Sequence, residues 1–110
     1  MPDETSDTSV LDTIAAMTLD SLERCGLDDH ATILVRIAAL AAVDAKPVSY
    51  LAHVDAAVDS GVTIEEVQNL LIAVAPIIGT PRVMSAAIGI SEALGVAIAV
   101  VEAELDAEAN

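Results

Sequence analysis

The chain has 110 residues, 55% of them hydrophobic with a single aromatic side chain, and 18 acidic against 4 basic residues give a net charge of −14. This length suits one domain with one core. The acidity repels phosphate, so composition excludes nucleic acid and anionic membrane surfaces as expected partners, and a single cysteine excludes an internal disulfide.

The first elements are predicted from polarity and spacing. Residues 1–8 are acidic and polar, and we expect them to be disordered ahead of a single domain over 9–108. Apolar residues from Val10 to Leu22 recur at helical spacing, and Gly26 ends this first helix. Asp28 or Asp29 then caps a second helix that runs to about residue 43.

The middle of the chain carries clear helix signals. Pro47 suits the first turn of a third helix, predicted over 47–60 and stopped by Gly61. Thr63 and Glu66 form a capping box that starts a fourth helix. We expect that helix to reach about residue 78, with a kink caused by Pro76.

The last elements repeat this pattern. Gly79, Thr80 and Pro81 predict the start of a fifth helix, which Gly95 is expected to end. The small residues Ser85 and Gly89 should permit close approach of another helix. A final helical segment covers 96–108, and no strand-like alternation occurs, so the predicted fold is all-α with about six helices.

The apolar excess is too large for a monomer of this size to bury, which predicts a homo-oligomer. A membrane span is not expected, because Pro76, Arg82 and Glu92 interrupt the most apolar stretches. The acidic N-terminus does not resemble a signal peptide. We therefore expect a soluble, cytoplasmic protein.

Three consecutive stretches within 31–95 carry a family resemblance: LVRIAALAAVDA, AHVDAAVDSGVTIEEVQNLLIAVAP and GTPRVMSAAIGISEALG. Together they resemble the carboxymuconolactone decarboxylase family, which includes alkylhydroperoxidase-D-like proteins. The resemblance implies an all-α fold of about six helices that assembles as trimers or hexamers.

The family's redox branch has a CxxCxxxH motif in the third helix. With His53 as its histidine, the two cysteines fall on Lys46 and Ser49, so both thiols are missing. The relay carboxylate of that branch is also missing between Asp29 and Asp44. A family-inherited peroxiredoxin-type activity is therefore disfavoured, since it needs a thiolate and a resolving thiol.

The remaining candidates for chemistry lie around this third helix. Ser49, Tyr50 and His53 are candidate catalytic residues, with His53 moving a proton and the two hydroxyls orienting a ligand. Arg82 and Lys46 are candidate substrate-binding residues, because both are cations that could hold a carboxylate. The alternative is that the helix face with Ser49, Tyr50 and His53 only packs at a subunit junction. Arg82 would then pair with an acid.

Two functions remain open at this point. The first is an oligomeric helical scaffold or small-ligand binder that has lost the redox thiols. The second is a cofactor-free decarboxylase- or isomerase-like enzyme that acts on a small carboxylated compound through His53 and Arg82. Neither requires a cofactor, and no residue cluster has metal-ligand spacing. Cys25 is expected to be an inert packing thiol, and Arg36 is expected to pair with an acid.

Overall fold

The computed structural model describes residues 2–109, and side chains from Thr8 onward. Within that part the chain is helical and contains no strand, so the all-α prediction is confirmed. The helices are α1 (Pro2–Arg24), α2 (Asp29–Ala42), α3 (Pro47–Leu51), α4 (Val54–Asp59), α5 (Ile64–Ile78) and α6 (Thr80–Ala109). The segment 1–8, expected to be disordered, lies mostly outside the described side chains, and that expectation stays a prediction.

Two predicted caps form with their expected hydrogen bonds. The Asp28 carboxylate accepts from the backbone N–H of Ala31 at 2.7 Å and caps α2. At α5, the Thr63 hydroxyl accepts from the N–H of Glu66, and the Glu66 carboxylate accepts from the N–H of Thr63. Each cap satisfies backbone donors that the first helical turn leaves free.

The predicted third helix is divided into α3 and α4. α3 ends at Leu51, and a turn follows in which the N–H of His53 donates to the carbonyl of Tyr50 at 2.9 Å. α4 then begins at Val54. His53 consequently lies at a turn between two short helices instead of on one continuous helical face.

The predicted helix stop at Gly95 is wrong, because α6 is continuous from Thr80 to Ala109. A glycine inside a helix costs only about 1 kcal/mol relative to alanine. Residues 96–101 are Ala, Val and Ile with no turn-forming side chain, so nothing redirects the backbone there. Gly61 and Gly79 do end helices, and both have positive φ, at 79° and 89°.

The packed core lies among α2, α3, α5 and the first half of α6, with α3 lying along α6 and α2 along α5. The close approach of α3 to α6 depends on Gly89. A Cβ at this position would lie 3.1 and 3.3 Å from carbons of the Tyr50 ring. The buried apolar residues are Ile33, Ile37, Ala41, Tyr50, Leu71, Ala86 and Ala93.

Much apolar surface lies outside this core. The accessible surface is 7768 Å², whereas a folded monomer of this mass, 11.2 kDa, exposes about 5,700 Å². Every described side chain from Thr8 to Arg24 in α1 is exposed, as are those of residues 98–109 in α6. We call these two segments the outer segments; they carry many of the exposed large apolar side chains, and others are spread over the rest of the chain.

The length of α6 raises the question of whether this helix could span a membrane. Its 30 residues are long and apolar enough to cross a bilayer by length and composition. One such helix is weak evidence of a span, since long core helices pass the same test. The first half of α6 packs on α2, α3 and α5, and its buried residues are Ala86, Gly89 and Ala93.

Candidate functional site

A half-open pocket of about 350 Å³, which we call the cavity, lies between α4, α5 and α6, and lining residues such as Val58 and Ile64 are exposed at its rim. Most of its lining is aliphatic, because α4 and α5 turn their Val, Ile, Ala and Leu residues toward α6. Lysine, arginine and carboxylate side chains are absent from the lining that the structure describes. The polar lining residues are Tyr50, His53, Thr63, Gln68 and Ser91.

His53 is half-buried at the turn between α3 and α4. Its Nδ1 lies 2.8 Å from the Ser49 carbonyl oxygen. A carbonyl only accepts hydrogen bonds, so this contact requires the hydrogen to be on Nδ1. In the neutral ring Nε2 then carries the lone pair, which leaves it able to accept a hydrogen bond or a proton.

Tyr50 is 4% exposed, and its hydroxyl has no hydrogen-bond partner among the described residues. Burial raises the pKa of Tyr50 above its ordinary value, and the negative charge of Asp44 raises it further. The hydroxyl is therefore protonated at neutral pH. Asp44 itself has a φ of 55° and accepts a hydrogen bond from the Ser85 hydroxyl at 2.6 Å.

The structure brings together two of the five residues singled out from the sequence. Tyr50 and His53 both line the cavity. Ser49 contributes its backbone carbonyl to His53, while its side chain is not part of the described lining. Lys46 and Arg82 are exposed and border neither of the two cavities described for this chain.

Sequence reasoning missed three polar residues of the cavity, Thr63, Gln68 and Ser91. A signal for Gln68 was present, since it lies four residues after Ile64 and three before Leu71 on α5. That spacing places it on the same face as two apolar residues of the lining. Ser91 carried no such signal, because the α6 sequence is apolar on several faces.

A side-chain contact between two helices was also missed near the cavity. The Nε2 of His30, at the start of α2, lies 2.7 Å from Oε2 of Glu66. The hydrogen bond from His30, followed by the one from the Thr63 backbone N–H, lowers the pKa of Glu66. This contact joins α2 to the capping box of α5.

Cys25 is half-buried just after α1. The N–H of Leu27 and the Thr32 hydroxyl lower its pKa by hydrogen bonding to the thiolate, and the positive charge of Arg36 acts in the same direction. The sequence holds one cysteine, so no second thiol of this chain is present to resolve an oxidised Cys25.

A second and more open groove, of about 320 Å³, lies between α1 and α2. His53 borders it as well as the cavity, so this residue lies between the two spaces. Arg36 of α2 reaches across this groove and donates from Nη2 to the Ser21 hydroxyl of α1 at 3.2 Å.

Comparison with known proteins and protein families shows which family has this sequence. No curated protein and no solved structure gives a significant match to the chain. The sequence profile described as "Carboxymuconolactone decarboxylase family" matches residues 9–93, which takes in α2 to α5, most of α1 and the cavity-lining half of α6. The chain therefore belongs to the carboxymuconolactone decarboxylase family.

Proposed function

We propose that this protein is a family member without redox thiols that binds a small, uncharged and largely apolar molecule in the cavity. The observation that carries the proposal is an aliphatic cavity of about 350 Å³ with a few hydrogen-bonding groups in its wall. Ligand sites in proteins combine these two features, at volumes of about 300 to 1,000 Å³.

The absence of charge in the described lining favours a neutral ligand. An ion that enters an apolar cavity loses its hydration, and this costs several kcal/mol or more unless an opposite charge compensates it. Polar groups of the ligand would instead meet the Gln68 amide, the Ser91 hydroxyl or Nε2 of His53.

The enzymatic alternative has less support. A decarboxylase- or isomerase-like reaction through His53 and Arg82 would need the two side chains to share one space, and Arg82 borders neither the cavity nor the groove between α1 and α2, as is also true of Lys46. Peroxidase chemistry would need a pair of thiols, and Lys46 and Ser49 occupy those positions. We therefore expect that the protein does not consume peroxide with dithiol reductants. Cys25→Ser should show the same lack of peroxide consumption.

Assembly into a homo-oligomer is part of the proposal. The outer segments expose apolar side chains that the chain itself does not cover, and exposed apolar surface of this extent is typical of subunit interfaces. The family resemblance implies trimers or hexamers, and the acidic N-terminus is the basis for expecting the protein in the cytoplasm.

Ligand binding can be tested with naphthalene as a neutral probe, using calorimetry or probe fluorescence. We expect saturable binding to the wild type and about tenfold weaker binding to Ala57→Leu, because the added carbons would occupy the cavity. Ala56→Leu is the matched control, since Ala56 is exposed on the same helix and outside the lining. Absence of naphthalene binding, or equal loss in both variants, would contradict the proposal.

A further inference from the structure

The groove between α1 and α2 has a chemical character different from that of the cavity. It contains a guanidinium, two hydroxyls and an imidazole above an apolar floor. Its lining residues are Met17, Thr18, Ser21, Arg36, Ala39, Leu40 and His53.

Among the side chains that the structure describes, none of the many carboxylates pairs with Arg36. The side-chain hydrogen bond found for its guanidinium goes to the neutral Ser21 hydroxyl. Among the described residues, the carboxylate pairs are those of Arg24 with Asp20 and of His30 with Glu66. Arg36 is half-buried, so water compensates its charge less completely than it would on an open surface.

The guanidinium has donors to spare. It carries five N–H groups in a planar fork, and one of its nitrogens is engaged by Ser21. A carboxylate can accept two parallel hydrogen bonds from such a fork. The Thr18 and Ser21 hydroxyls are close enough to border the same groove and can donate to the same anion.

The floor of the groove suits the remainder of such a ligand. Met17 of α1 with Ala39 and Leu40 of α2 form an apolar surface beside the guanidinium. His53 closes one side, with Nδ1 committed to the Ser49 carbonyl and Nε2 available.

We propose that the groove between α1 and α2 binds a small carboxylate with an apolar substituent, and that the Arg36 guanidinium anchors it. This site shares His53 with the cavity but has its own anchor in Arg36, so the carboxylate assignment and the proposed binding of a neutral molecule can fail independently. The residue assigned to anion binding thus differs from Arg82, which is exposed and borders neither space.

Benzoate and benzamide provide a matched pair of probes, equal in size and shape and different in charge. Isotope-labelled NMR of the arginine side-chain Nε–H groups reports directly on the guanidinium, with signals assigned through arginine variants. We expect benzoate to shift the Arg36 signal saturably and to bind at least about tenfold more tightly than benzamide. An unmoved Arg36 signal, or equal affinity for the two probes, would overturn the proposal.

Variants distinguish the contribution of Arg36 to benzoate binding from that of the overall charge of the chain. Arg36→Gln should abolish the preference for benzoate, and Arg36→Lys, which keeps the charge but not the fork, should weaken benzoate binding less. Arg82→Gln is the control and should change the benzoate affinity by less than about twofold. Loss of benzoate binding in Arg82→Gln with retention in Arg36→Gln would overturn the assignment.

A carboxylate from a second copy of the chain is the competing partner for Arg36. In that case benzoate would not bind, and Arg36→Gln would lower the mass of the particle in solution. That combination would overturn the proposal in favour of a subunit contact. Because the wild-type NMR titration needs no variant, a folding failure of Arg36→Gln would not remove the test.

Discussion

The packed core and the outer segments both carry isoleucines on helices, and these isoleucines differ in what covers them. Ile37 in α2 is 6% exposed, whereas Ile14 in α1 and Ile98 in the second half of α6 are 54% and 57% exposed. All three belong to helical runs of aliphatic residues. Periodicity therefore predicts a helix and its apolar face, but the covering of that face depends on contacts that lie elsewhere in the chain or on another chain.

Truncation of an isoleucine to alanine should affect stability very differently in the packed core and in the outer segments, and this is the largest effect that we expect. Ile37→Ala removes buried carbons in the core and should lower the free energy of unfolding by about 2 to 4 kcal/mol. Ile98→Ala should change subunit association and leave the stability of the core nearly unaltered. Denaturant unfolding and solution mass, measured on both variants, check this. If Ile37→Ala and Ile98→Ala lost the same unfolding free energy in dilute monomer, this expected difference between the two regions would be contradicted.

Two glycines of α6 give a matched comparison of a tight and an open position. Gly95→Ala meets no atom within 4 Å and should raise the stability by about 0.5 to 1 kcal/mol through better helix propensity. Gly89→Ala gains the same propensity but pushes on the Tyr50 ring, so overpacking of about 1 to 3 kcal/mol should make it the less stable variant. Thermal unfolding of the two proteins measures the difference. A more stable Gly89→Ala would show that the α3–α6 contact is loose.

Tyr50→Phe probes an uncompensated polar group in the core. Because the hydroxyl is buried with no partner among the described residues, its removal should raise the free energy of unfolding by about 1 kcal/mol. The ring contact with Gly89 is retained in this variant. A loss of stability of similar size would mean that the hydroxyl has a partner in the assembled protein.

The smallest expected effect concerns pH and Glu66. Its pKa is lowered in the folded protein by the hydrogen bonds from His30 and from the Thr63 N–H. A lowered folded-state pKa contributes stability above the unfolded value, about 4.3, that is lost as the pH falls through the folded value. The melting temperature of the wild type should therefore fall toward that of Glu66→Gln below about pH 4. A gap between them that widens on acidification would contradict the assigned contact.

Local signals were predictable from the sequence because they depend on neighbouring residues. The capping box at Thr63, the cap at Asp28 and the helix stop at Gly61 each need only a few residues of context. The placement of Tyr50 and His53 together also follows from short spacing. Gly95 failed as a stop because a glycine is only a weak helix breaker when helix-compatible residues continue on both sides.

The rest of the site depends on contacts between distant parts of the chain. Ser91 and Gln68 face the same cavity from two helices, and no local pattern joins them. The sequence singled out Arg82 as a cation that could hold a carboxylate, while Arg36 was expected to pair with an acid. Only the placement of α1 beside α2 shows that Arg36 meets the Ser21 hydroxyl instead.

We propose that exposed apolar side chains of the outer segments lie between subunits, while the packed core borders the cavity. The most direct test is the mass of the unmodified protein in solution, measured by light scattering at micromolar concentration. The account predicts a particle whose mass is a multiple of the 11.2 kDa chain. A monodisperse particle of 11.2 kDa would contradict it.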